Sequence, residues 1–150
     1  MIGRTTVIGA AVLALGVSAA AAGPLHKNRA ACTPRIVNGV TYNCGPATAK
    51  LDKFPGITFR KGTCIHRPTL FFLALGTYTT NRRTNNGKQY LALSVAGPLS
   101  HPQGGGVNAF NRGKHWTGRI TSFRGGTGSG TFTAKGVTGS RGTAHGSYHC

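Results

Sequence analysis

Glycine spacing is the feature that most limits what this chain can become. Twenty-four glycines are strewn along it, and beyond Cys44 no apolar pattern keeps a helical period for a dozen residues. Inside a helix each would cost roughly 1 kcal/mol relative to alanine. Between the glycines stand short stretches of Val, Ile, Thr, Phe and Tyr, which suit a pleated, half-buried surface. The expected class is all-β.

The stretches can be laid out in order. Ile36-Val37-Asn38-Gly39-Val40-Thr41 is a hairpin signal, with Asn-Gly in a two-residue turn. Ile57-Thr58-Phe59 leads into a turn at Lys61-Gly62. Residues 69–79 are apolar on both faces at their start, as a strand buried between two layers should be. Residues 80–88, with Asn85-Asn86-Gly87, read as a polar loop. It returns to residues 89–95, where Leu91, Leu93 and Val95 share one face. A Pro/Gly-rich connection is expected over 97–106, then strands over 115–123, 129–135 and 143–150. On the last of these, Ala144, Gly146, Tyr148 and Cys150 fall on one face and are assigned inward, and His145, Ser147 and His149 fall on the other. About eight short strands with closely spaced turns predict an antiparallel β-sandwich or meander.

Four cysteines, Cys32, Cys44, Cys64 and Cys150, allow three connectivities, and no C-x-x-C occurs. The Asn38-Gly39 hairpin places Thr33 opposite Cys44, so Cys32 lies within one residue of facing Cys44. The expected pairs are Cys32 with Cys44 and Cys64 with Cys150. The second closes a long loop and should stabilise by roughly 4 kcal/mol in the chain-entropy model.

The chain holds 18 Lys and Arg against one acidic residue, Asp52. Intramolecular ion pairs therefore cannot hold it together, and burial and cross-links must. A field of this sign attracts polyanions, with a reach of about 8 Å at physiological salt. The basic residues are scattered, with no run longer than Arg82-Arg83. Residues 1–22 carry Arg4, an apolar run from Val7 to Val17 and the small residues Ala20-Ala21-Ala22, the pattern of a secretory signal peptide. That run is shorter than the roughly 20 residues a spanning helix needs, and Leu70 to Leu75 has only strand length. Arg29 before Ala30-Ala31-Cys32 speaks against lipidation there. The expected organisation is a signal peptide over 1–22 and a single exported domain over 23–150.

Composition excludes several chemistries. Hydrolases that need paired carboxylates have only Asp52 to draw on. A Ser-His-Asp arrangement would have to recruit that same residue, and no serine sits in G-x-S-x-G. A ribonuclease working through two histidines and a lysine fits the charge, with His66, His101, His115, His145 and His149 available, yet their spacing selects no pair. His145 and His149 on one strand face lie about 13 Å apart, too far to share one metal ion. Gly104-Gly105-Gly106 and the glycines from Gly125 to Gly130 read as turns, since no Gly-Lys-Ser/Thr follows. No cofactor is called for. An apolar-ligand carrier would draw on Phe71, Phe72, Leu73 and Leu91, which core packing accounts for equally. Arg82, Arg83, Lys88, Arg112, Lys114, Arg119 and Arg124, with Trp116, Tyr78 and Tyr90 for stacking, are the candidate polyanion-binding set.

The order Tyr42-Asn43-Cys44-Gly45-Pro46-Ala47-Thr48-Ala49, Phe59-Arg60-Lys61-Gly62-Thr63-Cys64, the apolar stretch from Leu70 to Gly76, Gly130-Thr131-Phe132 and the closing Gly146-Ser147-Tyr148-His149-Cys150 resembles small secreted actinobacterial proteins, including the mycobacterial small lipoprotein antigens. The resemblance implies a β-sandwich, a bridge from an early strand to the terminal cysteine, and a cell-envelope or extracellular setting. It transfers no catalytic residue, and this chain lacks the lipidated cysteine of those antigens and is far more basic. The expected function is non-enzymatic binding of an anionic envelope polymer or nucleic acid, with a secreted His-dependent nuclease or an apolar-ligand carrier as alternatives.

Overall fold

A computed structural model describes residues 32–79, 88–137 and 139–150. The signal-peptide expectation over 1–22 and the candidates Arg82 and Arg83 lie outside the described residues. Eleven strands form, and no helix occurs among the described residues: β1 (Arg35–Val37), β2 (Val40–Tyr42), β3 (Thr48–Leu51), β4 (Thr58–Phe59), β5 (Gly62–Arg67), β6 (Leu70–Thr79), β7 (Gln89–Ala96), β8 (Gly104–Asn111), β9 (Lys114–Gly125), β10 (Ser129–Gly136) and β11 (Thr143–His149).

The β1–β2 hairpin has the expected register, Val37 opposite Val40, because Asn38 and Gly39 both take positive φ, at 49° and 72°. That is the turn whose twist matches its flanking strands. Both disulfides form as paired from the sequence, Cys32 with Cys44 and Cys64 with Cys150. Such bonds persist in oxidising compartments.

The count of about eight strands is corrected by three additions. β3 and β5 follow Pro46 and Lys61 and were too short to show a period. β8 occupies part of the stretch expected to be a Pro/Gly-rich connection. At Gly105 the neighbouring backbone is close: a Cβ there would run into the Ser94 carbonyl of β7. Glycine here marks close strand approach rather than a turn.

All strand pairs are antiparallel and belong to one curled sheet, in the order β1-β2-β6-β7-β8-β9-β10-β11-β3-β4, with β5 also on β6. From β6 to β11 each strand lies beside its successor, which is a meander. Two links bring the ends of the curl together. Pro46, just before β3, bridges to Gly62 of β5, with the Ala47 N–H donating to the Gly62 carbonyl at 3.0 Å. The Cys64–Cys150 disulfide ties β5 to the end of β11.

The inward positions of the curl form one core. Phe71, Leu73 and Leu75 of β6 meet Leu91, Leu93 and Val95 of β7, all fully buried or nearly so. Tyr148 packs between Phe71 and Phe123, at ring-centroid distances of 4.9 and 5.7 Å. Its hydroxyl donates to the Gly126 carbonyl at 2.6 Å, which satisfies the one polar atom it brings inward. Ala144 and Tyr148 are buried while His145 and His149 are exposed, so the parity assigned to the last strand stands. On β9 the alternation places Trp116, Gly118 and Ile120 inward. A bulge at Thr121 then resets it so that Phe123 is inward and Arg124 outward.

Candidate functional site

The alternation that buries the core also decides which cations share a surface. On β9 the residues between Trp116, Gly118 and Ile120 point outward, and Arg119 is exposed. On β10, Phe132 and Ala134 are buried, so Lys135 is outward, directly opposite Arg119. Beyond the bulge, Arg124 faces Thr131, which faces Ser147 of β11, which faces Lys50 of β3. The outward side of β9, β10, β11 and β3 is thus a cationic surface of Arg119, Arg124, Lys135 and Lys50. His145 and His149 join it, and Thr121, Ser122, Thr131 and Thr133 fill the spaces between.

Of the candidate set, Arg119 and Arg124 lie on this face. Lys88, Arg112 and Lys114 are gathered elsewhere, at the end of the curl where β7 begins and the β8–β9 hairpin turns. The Arg112 N–H donates to the Lys88 carbonyl at 3.4 Å. Lys114 donates to the Lys53 carbonyl and stands 5.2 Å over the Phe54 ring, so part of its charge is spent within the fold.

Trp116 is corrected. It is only 4% exposed, faces the core, and donates its indole N–H to the Arg141 carbonyl at 3.3 Å, so it has no face to offer a ligand. Its neighbours in sequence are basic, but strand parity turns it away from them. Lys135 and Lys50 were missed. The signal for Lys135 was the period-two pattern of Phe132 and Ala134. Lys50 needed knowledge that β3 pairs with β11.

A second feature lies on the outward side of β6 and β7. Ala74 and Ala92 are direct cross-strand partners, and their small side chains leave a depression between Phe72 at one end and Tyr78 and Tyr90 at the other. It has a volume of about 320 Å³ and is completed by Thr41, Asn43 and Asn108. Tyr78, 40% exposed, meets Tyr90 edge to face at 5.1 Å, and Tyr90 stacks on Phe110 at 5.9 Å. The Tyr90 hydroxyl donates to Asn108 Oδ1 at 3.1 Å, and His115 Nε2 contacts the same oxygen at 2.6 Å. Burial, and then the neighbouring Tyr78, push the Tyr90 phenol above its ordinary value of 10.0, and the Asn108 bond partly opposes them.

A third hollow of about 430 Å³ lies where the β3–β4 turn meets β11 and contains Asp52, Lys50 and His145. The Asp52 N–H donates to the His145 carbonyl at 3.0 Å. The other histidines are dispersed. His66 is exposed on β5, His101 contacts Ser100 in the β7–β8 connection, and His145 contacts the Thr133 hydroxyl at 3.3 Å. Phe71, Leu73 and Leu91, invoked for a carrier, are wholly buried in the core, while Phe72 lines the outer depression.

No family model, curated protein or solved structure matches this chain.

Proposed function

We propose that this protein is a non-enzymatic binding module for polyanions, working outside the cell or at the cell envelope. The observation that supports this reading most directly is the outward side of β9, β10, β11 and β3. Four Lys and Arg side chains stand exposed there on one rigid sheet, in a chain with a single acidic residue to neutralise them. Held on paired strands rather than loops, these charges need little ordering when a ligand arrives. Two disulfides suit the oxidising setting. The two-layer reading of the fold belongs to the same proposal: β3–β4 and β9–β11 face β5–β8, with β4 in contact with β7 and Cys64 bridged to Cys150.

Affinity for inorganic polyphosphate tests the reading. The logarithm of the association constant should fall linearly with the logarithm of salt concentration. Replacing Arg119, Arg124 and Lys135 by serine should make the slope shallower by about one for each residue. Salt-independent binding, or an unchanged slope in the triple variant, would sink it.

A further inference from the structure

The aromatic depression on β6 and β7 and the cationic face are parts of one continuous outward surface. Asn108, in the wall of the depression, is directly opposite Thr117 on β9. Arg119 is the next outward residue on that strand, so it is the diagonal neighbour of Asn108, on the order of 7–8 Å away. Lys135 stands directly opposite Arg119 on β10. From Ala92 in the floor of the depression, Arg119 is two strands away and Lys135 three, about 10 and 14 Å at the spacing of paired strands.

The depression itself suits a flat ring. Its floor is the pair Ala74 and Ala92, and its wall is Tyr78, held against Tyr90, which is itself held by Phe110 and Asn108. Asn108 Oδ1 is taken by Tyr90 and His115. Asn108 lines the depression, and its amide nitrogen makes no hydrogen bond among the described residues. Stacking surfaces beside a positively charged track are what proteins use to hold single-stranded nucleic acid without sequence preference.

We infer that the Tyr78 depression takes a nucleobase of a single-stranded nucleic acid whose adjoining phosphates lie on Arg119 and Lys135. The inference rests on the polyanion reading and narrows it. Polyphosphate carries the charge without the ring, and a neutral sugar chain carries rings without the charge. A single strand carries both.

The experiment compares a labelled oligothymidylate with inorganic polyphosphate, using the full exported chain with its disulfides intact. Tyr78→Ala should weaken the oligonucleotide about tenfold and leave polyphosphate unchanged, and Tyr78→Phe should restore the oligonucleotide affinity. Ala92→Leu, which fills the floor, should act as Tyr78→Ala does. Arg119→Ser with Lys135→Ser should weaken both ligands. If Tyr78→Ala and Ala92→Leu leave oligonucleotide affinity intact while the wild type binds both polymers, the base site is refuted and the polyanion reading survives. Equal loss for both polymers also refutes it, as does self-association of the wild type that Tyr78→Ala abolishes. If the wild type binds neither polymer, the polyanion reading falls first.

Discussion

Arg119 and Lys135 are direct cross-strand partners on β9 and β10, both exposed and both positive. Side chains so placed have Cβ atoms about 5 Å apart, and like charges in that arrangement destabilise a sheet. Lys135→Glu should raise stability by a few tenths of a kcal/mol at low salt, with the gain shrinking as salt screens the pair. It should also weaken polyphosphate binding. Urea melts at two ionic strengths check the first effect, and a gain that did not depend on salt would contradict the electrostatic explanation.

The disulfides should differ in what they contribute. Cys64 and Cys150 are 86 residues apart, whereas Cys32 and Cys44 are 12 apart. Chain entropy predicts a loss of about 4.5 kcal/mol when the long bridge is removed and about 3 kcal/mol for the short one. The long bridge also joins the two ends of the curl. Serine pairs at each site, compared by urea unfolding, should show the Cys64–Cys150 variant as the weaker.

Trp116 is a core residue, and its replacement should show that. Trp116→Ala should cost about 3–5 kcal/mol of stability. In the wild type, the emission of this single tryptophan should be blue-shifted and should not be quenched when polyphosphate binds. Strong quenching would mean that the indole meets the ligand after all.

Gly105 is pressed against β7. Gly105→Ala puts a methyl group into the Ser94 carbonyl, and backbone on a paired strand cannot move aside cheaply. A loss on the order of 1–3 kcal/mol is expected, with amide exchange rising first along β7 and β8. Gly126→Ala, in open space in the β9–β10 turn, serves as the control.

Alkali should destabilise the protein through two of its tyrosines. Burial raises the phenols of Tyr90 and Tyr148 above the ordinary 10.0. A group whose folded value is raised favours the folded state below its unfolded value and loses that contribution as pH climbs past it. Stability should therefore be insensitive to these groups up to about pH 10 and fall above it. Ultraviolet titration should find Tyr90 and Tyr148 ionising later than the ordinary phenol value.

Much of this was legible in the residues. The Asn38-Gly39 turn set the register that brings Cys32 to Cys44, and the remaining pair followed. Alternation told which side of β7 and β11 is inward. Each of these is a local relationship, carried by neighbours a few positions apart. β3 and β5 were not legible, because no hairpin turn announces them as Asn38-Gly39 announces β1 and β2, and their few residues hold too little apolar pattern to stand out from loops. β8 was misread because Gly105 serves close strand approach, and that use of glycine looks like a turn until the neighbouring strand is in place.

By itself, then, the sequence determined the β class, the disulfide pairing, the near-total lack of counter-charges and the inward set on β7 and β11, because turn chemistry, composition and period two act within a short span of chain. Only the tertiary structure decided which charges share a surface. Arg119 meets Lys135 through a register shifted by the bulge at Thr121, and Lys50 joins Arg124 across strands from opposite ends of the chain. Trp116 was turned from a binding residue into core by the same strand pairing. Hydrogen bonding between distant strands sets these neighbours, and nothing in the residues on either side of each position records it.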